Sequence, residues 1–101
     1  MRVEFEAELW LWSAREDRGE SWVFVTVPEE ISDDIRDLAG PPRGFGSVRV
    51  EVTVGATTWR TSVFPSAETG TFVLPLKKQV RKAEDLDVGD TASVSLRVVD
   101  A

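Results

Sequence analysis

The sequence contains no cysteine, no histidine and no tyrosine in 101 residues. Without cysteine there is no disulfide framework, which excludes the small secreted scaffolds that depend on one. Without histidine or cysteine the commonest zinc ligands are missing, and with them the commonest general base and any thiol nucleophile. An enzyme built from what remains would rely on Ser, Thr, Lys or carboxylates. No pair of these stands at a recognisable catalytic spacing, and no glycine-rich loop is framed by a strand and a helix as phosphate binding requires. "GPPRGFG" at 40–46 carries too much proline to wrap a phosphate. The expectation is therefore no catalytic site, no cofactor and no metal. Long apolar runs are also lacking: none approaches the ~20 residues that cross a bilayer. The N-terminus alternates apolar residues with glutamate at once, unlike the unbroken apolar core of a signal peptide. A cytoplasmic location with no membrane partner is expected.

Positive charge is scarce overall but concentrated. The formal net charge is −6. Residues 1–37 carry four basic and eleven acidic side chains, residues 38–82 seven basic and two acidic, and residues 83–101 one basic and five acidic. An acidic whole disfavours nucleic acid, while a basic middle keeps a local footprint possible.

What is present is a run of short strands. In "VEFEAELWLW", Val3, Phe5, Ala7, Leu9 and Leu11 share one face, and Glu4, Glu6, Glu8, Trp10 and Trp12 the other. "SAREDRGE" turns this strand into "SWVFVTV", apolar on both faces. Pro28 ends that strand and opens a helix over "PEEISDDIRDLAG". There Ile31, Ile35 and Leu38 fall on one face, and Glu29, Glu30, Asp33, Asp34 and Asp37 on the opposite arc. "SVRVEVTV" alternates valine with polar residues, Gly55-Ala56 turns it into "TTWRTSVF", and "TFVLP" follows as a short strand. A helix from about Leu76 to Ala83 precedes the last strand, "DTASVSLRVV". No internal repeat, low-complexity segment or interdomain linker is visible.

Six strands with two short helices, at even spacing, predict a single all-β domain over 1–101, a compact six-stranded barrel. Closure would also protect the edges of strands this rich in valine.

In "FVLPLKKQVRKAEDLDVGD", Leu76, Val80 and Ala83 make an apolar stripe on an idealised helix, with Lys77, Lys78, Arg81 and Lys82 on a contiguous arc opposite. Gly89 supplies the positive φ of a tight turn into the last strand. The positions Leu74, Pro75, Val80, Arg81, Leu86, Gly89 and Asp90 resemble the swapped-hairpin motif of AbrB and MazE-type transcription factors. That resemblance covers roughly the last thirty residues. It implies a module that dimerises and whose basic residues contact duplex DNA.

Taken whole, the chain is similar to something else. "WVFVTVP", "GFGSVRVEVTVGATTWRTSVFP", "GTFVLPLKKQVRKA" and "VGDTASVSL" resemble a small uncharacterised bacterial family, domain of unknown function nineteen-oh-five. The resemblance implies a small β-barrel related to the AbrB/MazE double-split barrel, with no established activity. Members occur alone or joined to a segment associated with bacteriocin protection, and a chain ending at Ala101 is expected to be the lone form.

These readings give a candidate binding surface of Arg43, Phe45, Trp59, Arg60, Lys77, Lys78, Arg81 and Lys82. A DNA surface would add Arg49. The bland alternative for the lysines is solvent, or pairing with the acidic helix within a chain or across a dimer. Trp22 and Trp59 are expected in the core or at the barrel's end. Trp10 and Trp12 are either covered by a helix, which is the expectation, or form an exposed interaction patch. Phe45, between two glycines, either plugs the barrel's end or projects as an anchor. The leading functional expectation is a non-catalytic binding or protein-interaction module, including self-association. An AbrB-like dimer on duplex DNA is the alternative, and an enzyme using carboxylates or lysine the remote one.

Overall fold

The valine ladder predicted at the centre of the chain forms as expected. The computed structural model describes residues 2–15, 20–39 and 46–99. In β4 (Val48–Val54), Val50, Val52 and Val54 are buried, and in β7 (Thr91–Val98) Ala92, Val94, Leu96 and Val98 are buried beside them. β1 (Arg2–Glu8) pairs with β7, and β5 (Thr57–Pro65) with β4, both antiparallel. A second set joins β2 (Trp10–Arg15), β3 (Glu20–Thr26), β6 (Phe72–Pro75) and the end of β5. The hydrogen-bonded order is β1-β7-β4-β5-β6-β3-β2.

The described residues thus hold seven strands in an antiparallel half-barrel, rather than six. The difference lies at Leu9, which breaks the first predicted strand in two. Its N–H donates to Asp90 O and its carbonyl accepts from Gly89 N, each 2.9 Å. The chain before Leu9 bonds to β7 and the chain after it to β3, so the two ends of the sheet order are neighbours in sequence. β5 does the same on the opposite side, pairing with β4 and then with β6. The core between the two sets is aliphatic, with Leu9, Val25, Leu74, Leu76 and Leu96 fully buried.

The helices depart from expectation in detail. In α1 (Glu29–Ala39), Ile35 is buried and Ile31 partly so, but Leu38 is 41% exposed. Ser32 takes the buried place instead, donating to Val27 O at 3.2 Å and accepting from Phe72 N at 3.0 Å. Arg36 bonds Gly70 O and lies over the Phe72 ring, 5.3 Å from its centroid, which ties α1 to the start of β6. α2 (Lys78–Ala83) buries Val80, while Ala83 faces solvent, because the helix starts two residues later than predicted and ends at the exposed side. Gly89 has φ 95°, as the turn requires.

The structure also contains a repeat that the sequence does not display. β1–β2, β3, α1 and β4 form one succession, and β5, β6, α2 and β7 form it again. The pairings correspond: β1 with β7 as β5 with β4, and β2 with β3 as β5 with β6. Across the β3–β6 ladder, Val27 N donates to Phe72 O and Leu76 N to Val23 O, the same bond made from either side. Each helix is then tied to its own entry strand. Ser32 reaches back five residues to Val27 O, and Arg81 reaches back five residues to Leu76 O at 3.0 Å.

Candidate interaction face

The two sets of strands carry opposite chemistry on their outer faces. On the β1-β7-β4-β5 side the outward positions are charged or hydroxylic: Glu4, Glu6, Ser93, Ser95, Glu51, Arg97 and Arg60. Glu51 pairs with Arg97 at 3.3 Å and Arg60 at 3.5 Å, and the Arg97 hydrogen bond holds its carboxyl below the ordinary carboxylate value, with Arg60 adding to the effect. A shallow open depression on this face is lined by Arg2, Glu4, Glu6, Thr53, Ser93 and Ser95. Its polar groups bond one another, Arg2 Nε to Ser95 Oγ at 2.9 Å and Ser93 Oγ to Glu6 at 3.4 Å.

On the β2-β3-β6-β5 side the outward positions are mostly apolar, with Thr26 among them. Val23, Val25 and Leu74 point into the core, so alternation turns Trp22, Phe24, Val73 and Pro75 outward. Directly opposed residues share a face, which adds Trp12 across from Trp22, Trp10 across from Phe24, and Phe64 across from Val73. Val73 is buried although it does not belong to the main core.

The tryptophans are graded along this face. Trp10 is half-buried, its ring 5.3 Å from Phe24 and its Nε1 donating to Thr26 Oγ1 at 3.0 Å. Trp22 stacks on Phe24 at 6.4 Å with 17° between planes. Trp12 is 47% exposed and Trp22 54%. Two expectations are corrected here. Trp22 is not in the core, because Val23 and Val25 take the inward positions of β3. Nor is Trp12 covered by a helix, since its side chain stays 47% exposed. Trp59 does lie inward, opposite Val52, half-buried and packed against the core.

The internal repeat shows which of these residues the fold itself calls for. Trp10 and Phe24 correspond to Phe64 and Val73, an apolar pair in both halves. Two residues further along, Trp12 and Trp22 correspond to Ser66 and Thr71, where Ser66 N donates to Thr71 O at 2.8 Å. The same architecture is closed at that point by small hydroxylic residues in one half and by two exposed indoles in the other.

The predicted basic surface is dispersed. Arg60 faces the charged sheet, on the opposite side from inward Trp59. Arg81 is half-buried and spends its Nε on Leu76 O. Lys77, Lys78 and Lys82 are exposed, and among the described residues no carboxylate pairs with them, those of the acidic helix α1 included. Arg49 is also exposed, on the charged sheet. Arg43 and Phe45 lie outside the described residues. Carried one residue past Leu76, the β3–β6 register sets Lys77 opposite Trp22. This juxtaposition joins two features that stand far apart in sequence, and only the strand register reveals it.

The family model described as Domain of unknown function (DUF1905) matches residues 5–96. The chain belongs to this family. In this DUF1905 chain the match runs from the buried Phe5 of β1 to the buried Leu96 of β7, and so takes in both halves of the repeat and the whole aromatic face. No curated protein matches the chain. Among the described residues no group of carboxylates is placed to hold a metal ion, and no helix is long and apolar enough to cross a membrane.

Proposed function

We propose that the chain is a non-catalytic protein-interaction module whose contact surface is the outer face of β2, β3 and β6. The observation that carries this reading is the exposed cross-strand pair Trp12 and Trp22, at positions where the matching half has Ser66 and Thr71. Water-exposed indoles side by side are costly to solvate, are enriched at protein contacts, and supply large rigid area for little lost entropy. The fold has no need of them, since its other half manages without. The same two halves support reading the architecture as two AbrB/MazE-like swapped-hairpin modules joined in one chain.

Trp12→Ser combined with Trp22→Thr copies the chain's own alternative and tests the proposal. The double variant is expected to unfold within a few degrees of the wild type while losing association measured by sedimentation. A large fall in stability with association unchanged would make the pair structural and sink the reading. The exposed Lys77, Lys78 and Lys82, which pair with no carboxylate among the described residues, favour duplex DNA as a second reading, with the lysines on phosphates.

A further inference from the structure

We propose that the occupant of the aromatic face is the same face of a second copy of the chain. The two copies form a two-fold dimer whose axis lies in the plane of contact, across the strands. This inference rests on the interaction reading above and adds the identity of the partner.

Charge chooses the partner. α1 follows β3 and α2 follows β6, and these two strands are antiparallel neighbours, so the helices stand at opposite ends of one ladder. At the α1 end Glu29, Glu30, Asp34 and Asp37 are exposed, and among the described residues the ion pair there is Arg36 with Asp33 at 2.7 Å. At the α2 end stand Lys77, Lys78 and Lys82, with no carboxylate partner among the described residues. The face between them is apolar. A surface with an apolar middle, a negative pole and a positive pole is complementary to itself turned end for end. A two-fold axis across the strands makes that turn and brings α1 of each copy to α2 of the other. An axis along the strands would stack acidic helix on acidic helix, a like-charge contact that costs several-fold in affinity at each pole. The favoured contact is isologous, so it closes at two copies and does not propagate. It also accounts for the position of Trp12 and Trp22 beside the basic pole. There they would meet the partner's α1 end, where Leu38 is exposed.

Sedimentation equilibrium of the wild type and two charge-reversed variants tests this. One variant carries Lys77→Glu, Lys78→Glu and Lys82→Glu, and the other Glu29→Lys, Glu30→Lys and Asp34→Lys. All six positions are exposed, and circular dichroism checks that each variant is folded. The wild type is expected to dimerise, more weakly as salt rises. Each variant alone is expected to dimerise roughly 100-fold more weakly or not at all. An equimolar mixture is expected to recover the dimer mass, because the reversed poles then match crosswise. A monomeric wild type at the highest soluble concentration would overturn the proposal without any variant. Dimers that survive both reversals, or a mixture that stays monomeric, would overturn it as well. The Trp12→Ser/Trp22→Thr variant separates this failure from failure of the broader reading. A monomeric wild type whose double variant keeps full stability leaves an interaction face with another partner, whereas a strongly destabilised double variant removes the face itself.

Discussion

Ser32 and Arg81 make equivalent contacts with different chemistry: the Ser32 hydroxyl donates to Val27 O at 3.2 Å, and the Arg81 guanidinium donates to Leu76 O at 3.0 Å. Both close the corner where a strand becomes a helix. Their surroundings differ, because Ser32 is fully buried and also accepts from Phe72 N, while Arg81 is half-exposed.

Ser32→Ala should therefore cost more than Arg81→Met. The first leaves a buried N–H without an acceptor, at about 1–3 kcal/mol. The second removes one bond made by a half-exposed guanidinium, at about 1 kcal/mol. Thermal unfolding reads the difference, at ~4–8 °C per kcal/mol for a domain of this size. Equal losses would contradict the burial argument.

Gly55 has φ 58° in the turn between β4 and β5, and a Cβ there would run into the Glu84 carboxylate. Glu84 is held by Thr57 Oγ1, which donates to it at 2.6 Å. Gly55→Ala should destabilise by the left-handed strain of about 1–2 kcal/mol plus the displacement of Glu84. In a Glu84→Ala background the same substitution should cost less, leaving only the strain. Denaturant melts of the four proteins give the coupling.

Glu51 sits between Arg97 and Arg60, and its folded-state carboxyl titrates below the ordinary value of about 4.3. A depressed folded value means stabilisation that is complete above the unfolded value and lost as pH falls through the folded one. The acid limb of the stability curve should lose this part below about pH 4. Glu51→Gln should flatten that limb, and a carboxyl NMR titration should place Glu51 below the ordinary glutamate value.

Duplex DNA should leave the protein unbound. Arg60 and Arg97 are engaged by Glu51 and Arg81 by a backbone carbonyl, so Lys77, Lys78, Lys82 and the distant Arg49 are the exposed cations left from the predicted surface among the described residues, on an acidic chain. Fluorescence anisotropy of a mixed-sequence duplex should stay flat even at about 50 mM salt, where phosphate contacts are strongest. Binding that disappears in Lys77→Glu/Lys78→Glu would instead favour the DNA reading. Arg81→Glu is a poor probe, since it would release the corner that Leu76 O closes.

Much of the fold was legible because alternation is a local signal. Val50, Val52, Leu96 and Val98 announce their faces in the sequence, as do the glycines at 55 and 89. The break at Leu9 is not local: it depends on hydrogen bonds to Gly89 and Asp90 from the far end of the chain. Trp22 was misplaced because "SWVFVTV" is apolar on both faces, and periodicity cannot then say which face is inward. The repeat was hidden because its two halves share geometry and not residues, with serine matched to arginine and two tryptophans matched to serine and threonine. The position of Lys77 across from Trp22, as the β3–β6 register extends, likewise belongs to strand register alone.

The pairing of β1 with β7 has a consequence for synthesis. Within the domain β1 is made before its partner β7, so Phe5 and Ala7 have no strand to pair with until residues 91–98 emerge. Folding is therefore expected to be slow for a domain of this length, since its closing contacts are far apart in sequence. Glu4, Glu6 and Glu8 alternate with the apolar side chains of that waiting strand. Their mutual repulsion would keep nascent copies from pairing with each other in the interval.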